Sequence, residues 1–203
     1  MPLQGLHPTK RVLLETVIKL LDDKEPNEIL SDEVLQLSGI SKGSMYYHYK
    51  DWYEIVEDAI CERFAWYVDR SVELCEAALR GAKSRDDLMN LLKGVTRDTQ
   101  KPEQAATRYA RVRAIAMASQ SERMRQKLGV VQERLTEALE DLFREAQERG
   151  WASKDIDPRA AAVMVQAYTF GHIVDDFTPS HMKEEAWYAV VDGLVEKVFF
   201  PPK

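Results

Sequence analysis

The feature that most restricts the fold of this chain is its hydrophobic period. Apolar residues recur every three to four positions in one segment after another, and no run alternates strictly between apolar and polar positions as a half-buried strand does. The stretch "TKRVLLETVIKLLDD" puts Leu13, Val17, Leu20 and Leu21 on one helical face, and "KEPNE" stops it. "SDEVLQLS" offers Ser31 as an N-cap with acids in the first turn, and Val34, Leu35 and Leu37 as packing residues. "SGI" makes a tight turn in which Gly39 takes a left-handed conformation at no steric cost. Ser41 opens another short helix. Asp51 caps a long one, predicted over about 51–79, with Ile55, Ala59, Ile60, Phe64, Val68, Val72, Cys75 and Leu79 on its inner face.

The same period continues to the C-terminus. "SRDDLMNLLKGVTRD" and "PEQAATRYARVRAIAMAS" read as helices, the second with Pro102 at an early position. A further long helix is predicted over about 122–149, closed by Gly150. Asp157 caps the next, with Pro158 in its first turn, and "KEEAWYAVVDGLVEKVFF" is last. The expectation is an all-α fold of about nine helices. Three short helices form a head within residues 1–50, and residues 51–203 form a larger helical bundle. The long fourth helix joins the two, so the junction is not a flexible linker.

The chain has 203 residues, of which 45% are hydrophobic and 31% charged, enough for a proper core. No apolar run approaches the roughly 20 residues that span a bilayer. "MPLQGLHPTK" does not resemble a signal peptide, so a cytoplasmic protein with no membrane partner is expected. Cys61 and Cys75 are fourteen positions apart in one predicted helix, about 21 Å along its axis. That separation forbids a disulfide and favours buried thiols.

The net charge of −6 disfavours general binding to polyanions, but its distribution matters more. Residues 1–60 hold six Lys/Arg against eleven Asp/Glu. Within them, Met1 to Leu14 and Val34 to Lys50 contain no acid and carry Lys10, Arg11, Lys42 and Lys50. Exposed charges beyond a Debye length of about 8–10 Å are screened, so local positive potential is confined to these two stretches.

Two short helices joined by a tight glycine-containing turn form a helix-turn-helix. Here the second helix presents Ser41, Lys42, Gly43 and Ser44 at its N-terminus, where backbone N–H groups suit phosphate, and Gly43 permits close approach. Tyr46, Tyr47 and His48 can donate to phosphate oxygens or touch base edges. Met45 and Tyr49 are expected to anchor the helix. Lys50, and Ser31 at the start of the preceding helix, complete the candidate DNA contacts.

These residues, "LSGISKGSMYYHYKDWYEIV", resemble the signature of the TetR family of transcriptional regulators. The likeness runs from Gly39 through His48, with Tyr49 for the usual Phe, and covers about 25 residues. It departs at Trp52, where the family usually has a Lys that reaches a DNA phosphate. The resemblance implies a homodimer on a double-stranded, palindromic operator, a ligand cavity in the C-terminal region, and repression relieved by a small-molecule effector.

The larger bundle supports part of this by itself. "AAAVMVQAYTFGHIVDDF" is apolar nearly all round, so it is buried on more than one side. With the last helix it offers one face to its own domain and another to a partner copy, and Ala161, Ala167 and Gly171 permit close approach. Trp66, Tyr109, Met117, Met164 and Tyr168 are candidate ligand contacts, together with Arg113 and His172; the same stripes also read as plain core. Arg113 shares a face with Tyr109 and Met117, and internal pairing with Asp175 or Asp176 is its default. His172–Asp176 and His181–Glu185 have metal-compatible spacing but no third ligand, so no metal is expected. No nucleophile–base pair, phosphate loop or dinucleotide fingerprint occurs, so neither catalysis nor a cofactor is expected. The competing readings are an all-helical ligand-binding protein or enzyme with three structural N-terminal helices, and a regulator acting through a protein partner.

Overall fold

The computed structural model describes residues 5–202, and the first four residues of the acid-free N-terminal stretch lie outside them. Among the described residues there is no strand. Nine helices of seven or more residues occur among the described residues: α1 (Pro8–Leu20), α2 (Ser31–Ser38), α3 (Lys42–His48), α4 (Trp52–Gly81), α5 (Arg85–Gln100), α6 (Ala105–Ala118), α7 (Glu122–Glu148), α8 (Pro158–Gly171) and α10 (Glu184–Leu194); α9 (Ile173–Asp176) is a single turn. A 3-10 turn (Pro102–Gln104) precedes α6, and a π-helical turn (Val195–Phe199) follows α10. Pro102 therefore opens the 3-10 turn rather than the α-helix itself. No described helix is long and apolar enough to cross a membrane.

The chain forms two compact units, one from Met1–Tyr67 and Ala114–Val131, the other from Val68–Arg113 and Gln132–Lys203. In the first, α1 packs against α2 and α3. Leu13, Leu14, Val17 and Ile18 of α1 meet Val34 of α2, Met45 and Tyr49 of α3 and its exit, and Ile55 and Ala59 of α4. Burial of these side chains, at about 1.5–3 kcal/mol for each large one, holds the short helices together, since two-turn helices are not stable alone. Gly39 ends α2 at φ 67°, the left-handed geometry its position demands. Asp51 caps α4, its Oδ1 accepting from Glu54 N at 2.9 Å, while Glu54 Oε2 accepts from Lys50 N at 2.7 Å.

Two local expectations in this unit are corrected. Ser31 does not cap α2: the N-cap is Leu30, and no side chain accepts there. Leu37 does not pack on α1 but stands exposed, because the inward stripe of α2 runs through Ser31, Val34, Leu35 and Ser38.

In the second unit the buried side chains are Leu135, Leu139, Leu142, Phe143 and Ala146 of α7, Leu88 and Met89 of α5, Ala161 and Ala162 of α8, and Phe199 and Phe200 after α10. The Phe143 ring meets Phe199 edge-on at 5.1 Å. Ser84 and Asp157 cap α5 and α8. Arg97 of α5 reaches Asp192 of α10 at 2.6 Å. Helices α4, α6 and α7 each run unbroken through a unit boundary.

Candidate nucleic-acid face and small-molecule cavities

The geometry of α3 follows from two buried anchors. Met45 is fully buried and Tyr49 is 2% exposed, so the opposite side of a two-turn helix must face solvent. That side carries Lys42, Gly43, Tyr46 and Tyr47, with Tyr47 85% exposed. Ser41 Oγ accepts from Ser44 N at 3.2 Å and fixes the start of the helix. That bond uses one free N–H, so the exposed side chains, more than a seven-residue helix end, give the face its chemistry. Ser44 and His48 are half-buried at its rim, and Lys50 is exposed beyond it. Ser31 is half-buried in the first turn of α2.

The head supplies groups that helical spacing does not bring out. The His7 ring, at the cap of α1, lies 4.3 Å from the His48 ring. Partial desolvation, then the neighbouring His7 and Lys10, holds the His48 imidazole below its usual pKa. Lys10 Nζ sits over the Tyr49 ring at 4.5 Å. Tyr53, in the first turn of α4, is 75% exposed. Its signal is the aromatic run that begins at Tyr46 and reaches into the first turn of α4. Trp52 packs against the head core, so this position is structural here.

The acids of residues 1–60 are largely turned to internal use. Arg123 of α7 holds Glu57 at 2.7 Å, Glu54 at 3.4 Å and Asp58, which Lys127 also contacts. Lys24 holds Glu33 at 2.6 Å, and Arg63 holds Asp22 at 3.5 Å.

Two cavities lie within the second unit. The first, about 90 Å³, is apolar and bounded by Leu74, Cys75 and Ala78 of α4, Leu139 and Phe143 of α7, and Phe199. Its polar rim is Thr96, whose hydroxyl is 3.1 Å from the Tyr168 hydroxyl, with Gln166 and Arg111, the latter over the Phe170 ring at 4.4 Å. Burial raises the Tyr168 phenol pKa, keeping the hydroxyl neutral. Burial also pushes the Cys75 thiol up to about 11 and the Cys61 thiol to about 12, so both stay protonated.

The second cavity, about 300 Å³, has charged and polar side chains among its walls, including Gln100, Arg108, His172, Asp175 and Asp176. Of the candidate ligand residues, Tyr168 lines the first and His172 the second; Tyr109, Arg113 and Met164 line neither. Trp66 and Met117 belong to the other unit, and Trp66 is 46% exposed. Asp176, one of the two partners expected for Arg113, is held by Arg108. Among the described residues, no three His, Cys, Asp or Glu side chains group so as to hold a metal ion.

The outer faces of α8 and α10 carry a third feature. Ala160, Val163, Met164, Ala167 and Gly171 form an exposed apolar stripe at helical spacing, and Ala186, Ala189 and Val190 form another. Ala161, expected at a close-approach interface, instead packs inward and is 2% exposed.

No protein-family profile matches the sequence, and no curated protein sequence does. Solved structures do match. A proposed transcriptional regulator from Saccharomonospora viridis, in complex with choline, superposes with a TM-score of 0.69 at 14% identity, covering 95% of this chain and 98% of that one. The reduced form of E. coli NemR gives 0.66 at 16% identity, with 96% and 98% covered. PfmR of Thermus thermophilus, a TetR family transcriptional regulator, gives 0.57 at 21% identity, with 92% and 97% covered. The chain has the all-α fold of TetR-family regulators along nearly its whole length.

Proposed function

We propose that this chain is a DNA-binding transcriptional regulator, a ligand-responsive repressor that acts in the cytoplasm as a homodimer on a palindromic operator. Residues 1–50 serve as the DNA-reading head, and residues 51–203 as the ligand-binding and dimerisation region. The observation that carries this reading is the exposed side of α3. Lys42, Gly43, Tyr46 and Tyr47 project from a helix pinned by Met45 and Tyr49, in a fold shared with regulators. Tyr47 and Lys42 are the main contacts. Ser41, Ser44, His48, Lys50 and Tyr53 add phosphate contacts, Tyr46 lies at the edge, and Ser31 reaches phosphate from α2. The internal pairing of Glu54, Glu57 and Asp58 supports DNA approach despite the acidic head.

The apolar stripes on α8 and α10 support dimerisation, since two such helices from each copy form a four-helix interface. Two heads then read two half-sites. The effector enters the apolar cavity. At about 90 Å³ that cavity is smaller than the 300 Å³ or more of ordinary ligand sites, so an occupant has to displace its walls. One wall is α4, which continues to the head, and a ligand that prefers one position of α4 shifts the DNA-competent population. The choline bound in the S. viridis regulator supports a small organic molecule as effector. The test is a gel mobility shift on DNA upstream of the chain's own gene. Lys42→Ala with Tyr47→Ala should abolish the shift at unchanged helical content; full retention by the double variant removes this face from the account.

A further inference from the structure

The 300 Å³ cavity carries chemistry that the proposed regulator does not use. Its walls hold one guanidinium and three carboxylates, from Arg108, Asp175, Asp176 and Glu184. Four of the five guanidinium N–H donors are engaged: Nε and Nη2 each donate to Asp176 at 2.7 Å, and Nη1 donates to the Thr99 and Lys101 carbonyls at 3.1 Å. Asp175 accepts from Met182 N at 3.2 Å and lies 3.6 Å from His181, but no Lys or Arg pairs with it among the described residues. Glu184, in the first turn of α10, has no ion pair among the described residues. Asp175 and Glu184 thus face the cavity with no Lys or Arg partner of their own among the described residues, beside the His172 and His181 imidazoles.

Gln100 supplies an independent sign of a ligand. Its side chain lines the same cavity and is 1% exposed. The indole Nε1–H of Trp187, which can only donate, points at Oε1 and so settles which end of the amide is oxygen. The other end, Nε2, is buried and has no acceptor in the protein. A buried donor without an acceptor is costly, and a ligand oxygen there would satisfy it. A metal ion does not fit, since no three potential ligands converge among the described residues. The volume is at the low end of the range for small-molecule sites.

We infer that this cavity binds a small organic cation bearing a hydroxyl or carbonyl oxygen, the ammonium held by Asp175 and Glu184 and the oxygen accepting from Gln100 Nε2. The site is separate from the apolar cavity, with which it shares none of its lining residues. The experiment is calorimetric titration of the full-length protein at low salt with three probes: 5-aminopentan-1-ol, pentane-1,5-diol and pentan-1-amine. The amino alcohol should bind saturably. The diol, lacking the cation, and the amine, lacking the oxygen, should each bind about tenfold more weakly or not at all. Asp175→Asn and Glu184→Gln should each weaken the amino alcohol by a similar factor. Glu184→Gln changes only an exposed side chain, so the comparison survives if the other variant misfolds. In 15N spectra, the Gln100 side-chain amide signals should move on titration. No saturable heat would mean a merely solvated pocket and would overturn the inference, as would equal binding of the diol or indifference to Glu184→Gln. None of these readouts involves DNA, so they leave the regulator reading untouched.

Discussion

The Arg108 guanidinium grips the Asp176 carboxylate at two points, Nε to Oδ2 and Nη2 to Oδ1, each at 2.7 Å. Both side chains are almost wholly buried, at 3% and 8% exposure, and are separated by 68 positions in the chain. The pair fastens the start of α6 to α9, and its remaining donors satisfy carbonyls at the end of α5.

Arg108→Met should destabilise the second unit by about 3–5 kcal/mol, because it strands a buried carboxylate. The Arg108 hydrogen bond holds the Asp176 carboxyl below its usual pKa. For a depressed carboxyl the stabilisation is present above about pH 4 and fades as pH falls through the folded-state pKa. Urea unfolding of Asp176→Asn should show a clear deficit against the parent at pH 7 that narrows at pH 3. A deficit that grows on acidification would contradict this assignment.

Gly43 separates folding from DNA binding. A methyl group built there meets nothing within 4 Å, so the head's own packing does not require glycine. Gly43→Ala should leave stability unchanged or raise it by up to about 1 kcal/mol through helix propensity. DNA affinity should fall if, as proposed, the backbone at Gly43 approaches the duplex where the added methyl would stand. Thermal melts and mobility shifts on one preparation distinguish the two effects.

The stripes on α8 and α10 predict a charge-sensitive dimer. Met164 is 45% exposed and Val190 is 67% exposed. Met164→Glu with Val190→Glu should halve the mass seen by light scattering while the circular dichroism of each chain is kept. An unchanged mass would move the interface elsewhere.

The thiols should be inert. With Cys61 and Cys75 buried and their pKa values raised to about 12 and 11, iodoacetamide at pH 8 should label neither in the native protein and both in denaturant. Fast native labelling of Cys75 would show that the apolar cavity opens readily.

Much of the head was legible because its determinants are local. Gly39, Ser41 and Asp51 act within three or four residues of themselves, and the burial of Met45 and Tyr49 follows from helical phase. Ser31 misled because a serine before two acids satisfies the capping pattern, yet the chain enters α2 one residue earlier, at Leu30. The arginine that meets Asp176 was not legible. Helix α6 is apolar on several sides, so its phase alone does not rank Arg108, Arg111 and Arg113, and the deciding partner is non-local. The 300 Å³ cavity is hidden for the same reason: Gln100, Asp175 and Glu184 come together only through the packing of α5, α9 and α10.

The most direct test of the central claim is a hydroxyl-radical footprint with the purified parent protein on its upstream DNA. The account predicts two protected half-sites with centres separated by about 10 base pairs or a multiple of it, lost together in Lys42→Ala/Tyr47→Ala. No protection at low salt, or protection that the double variant keeps, would contradict it.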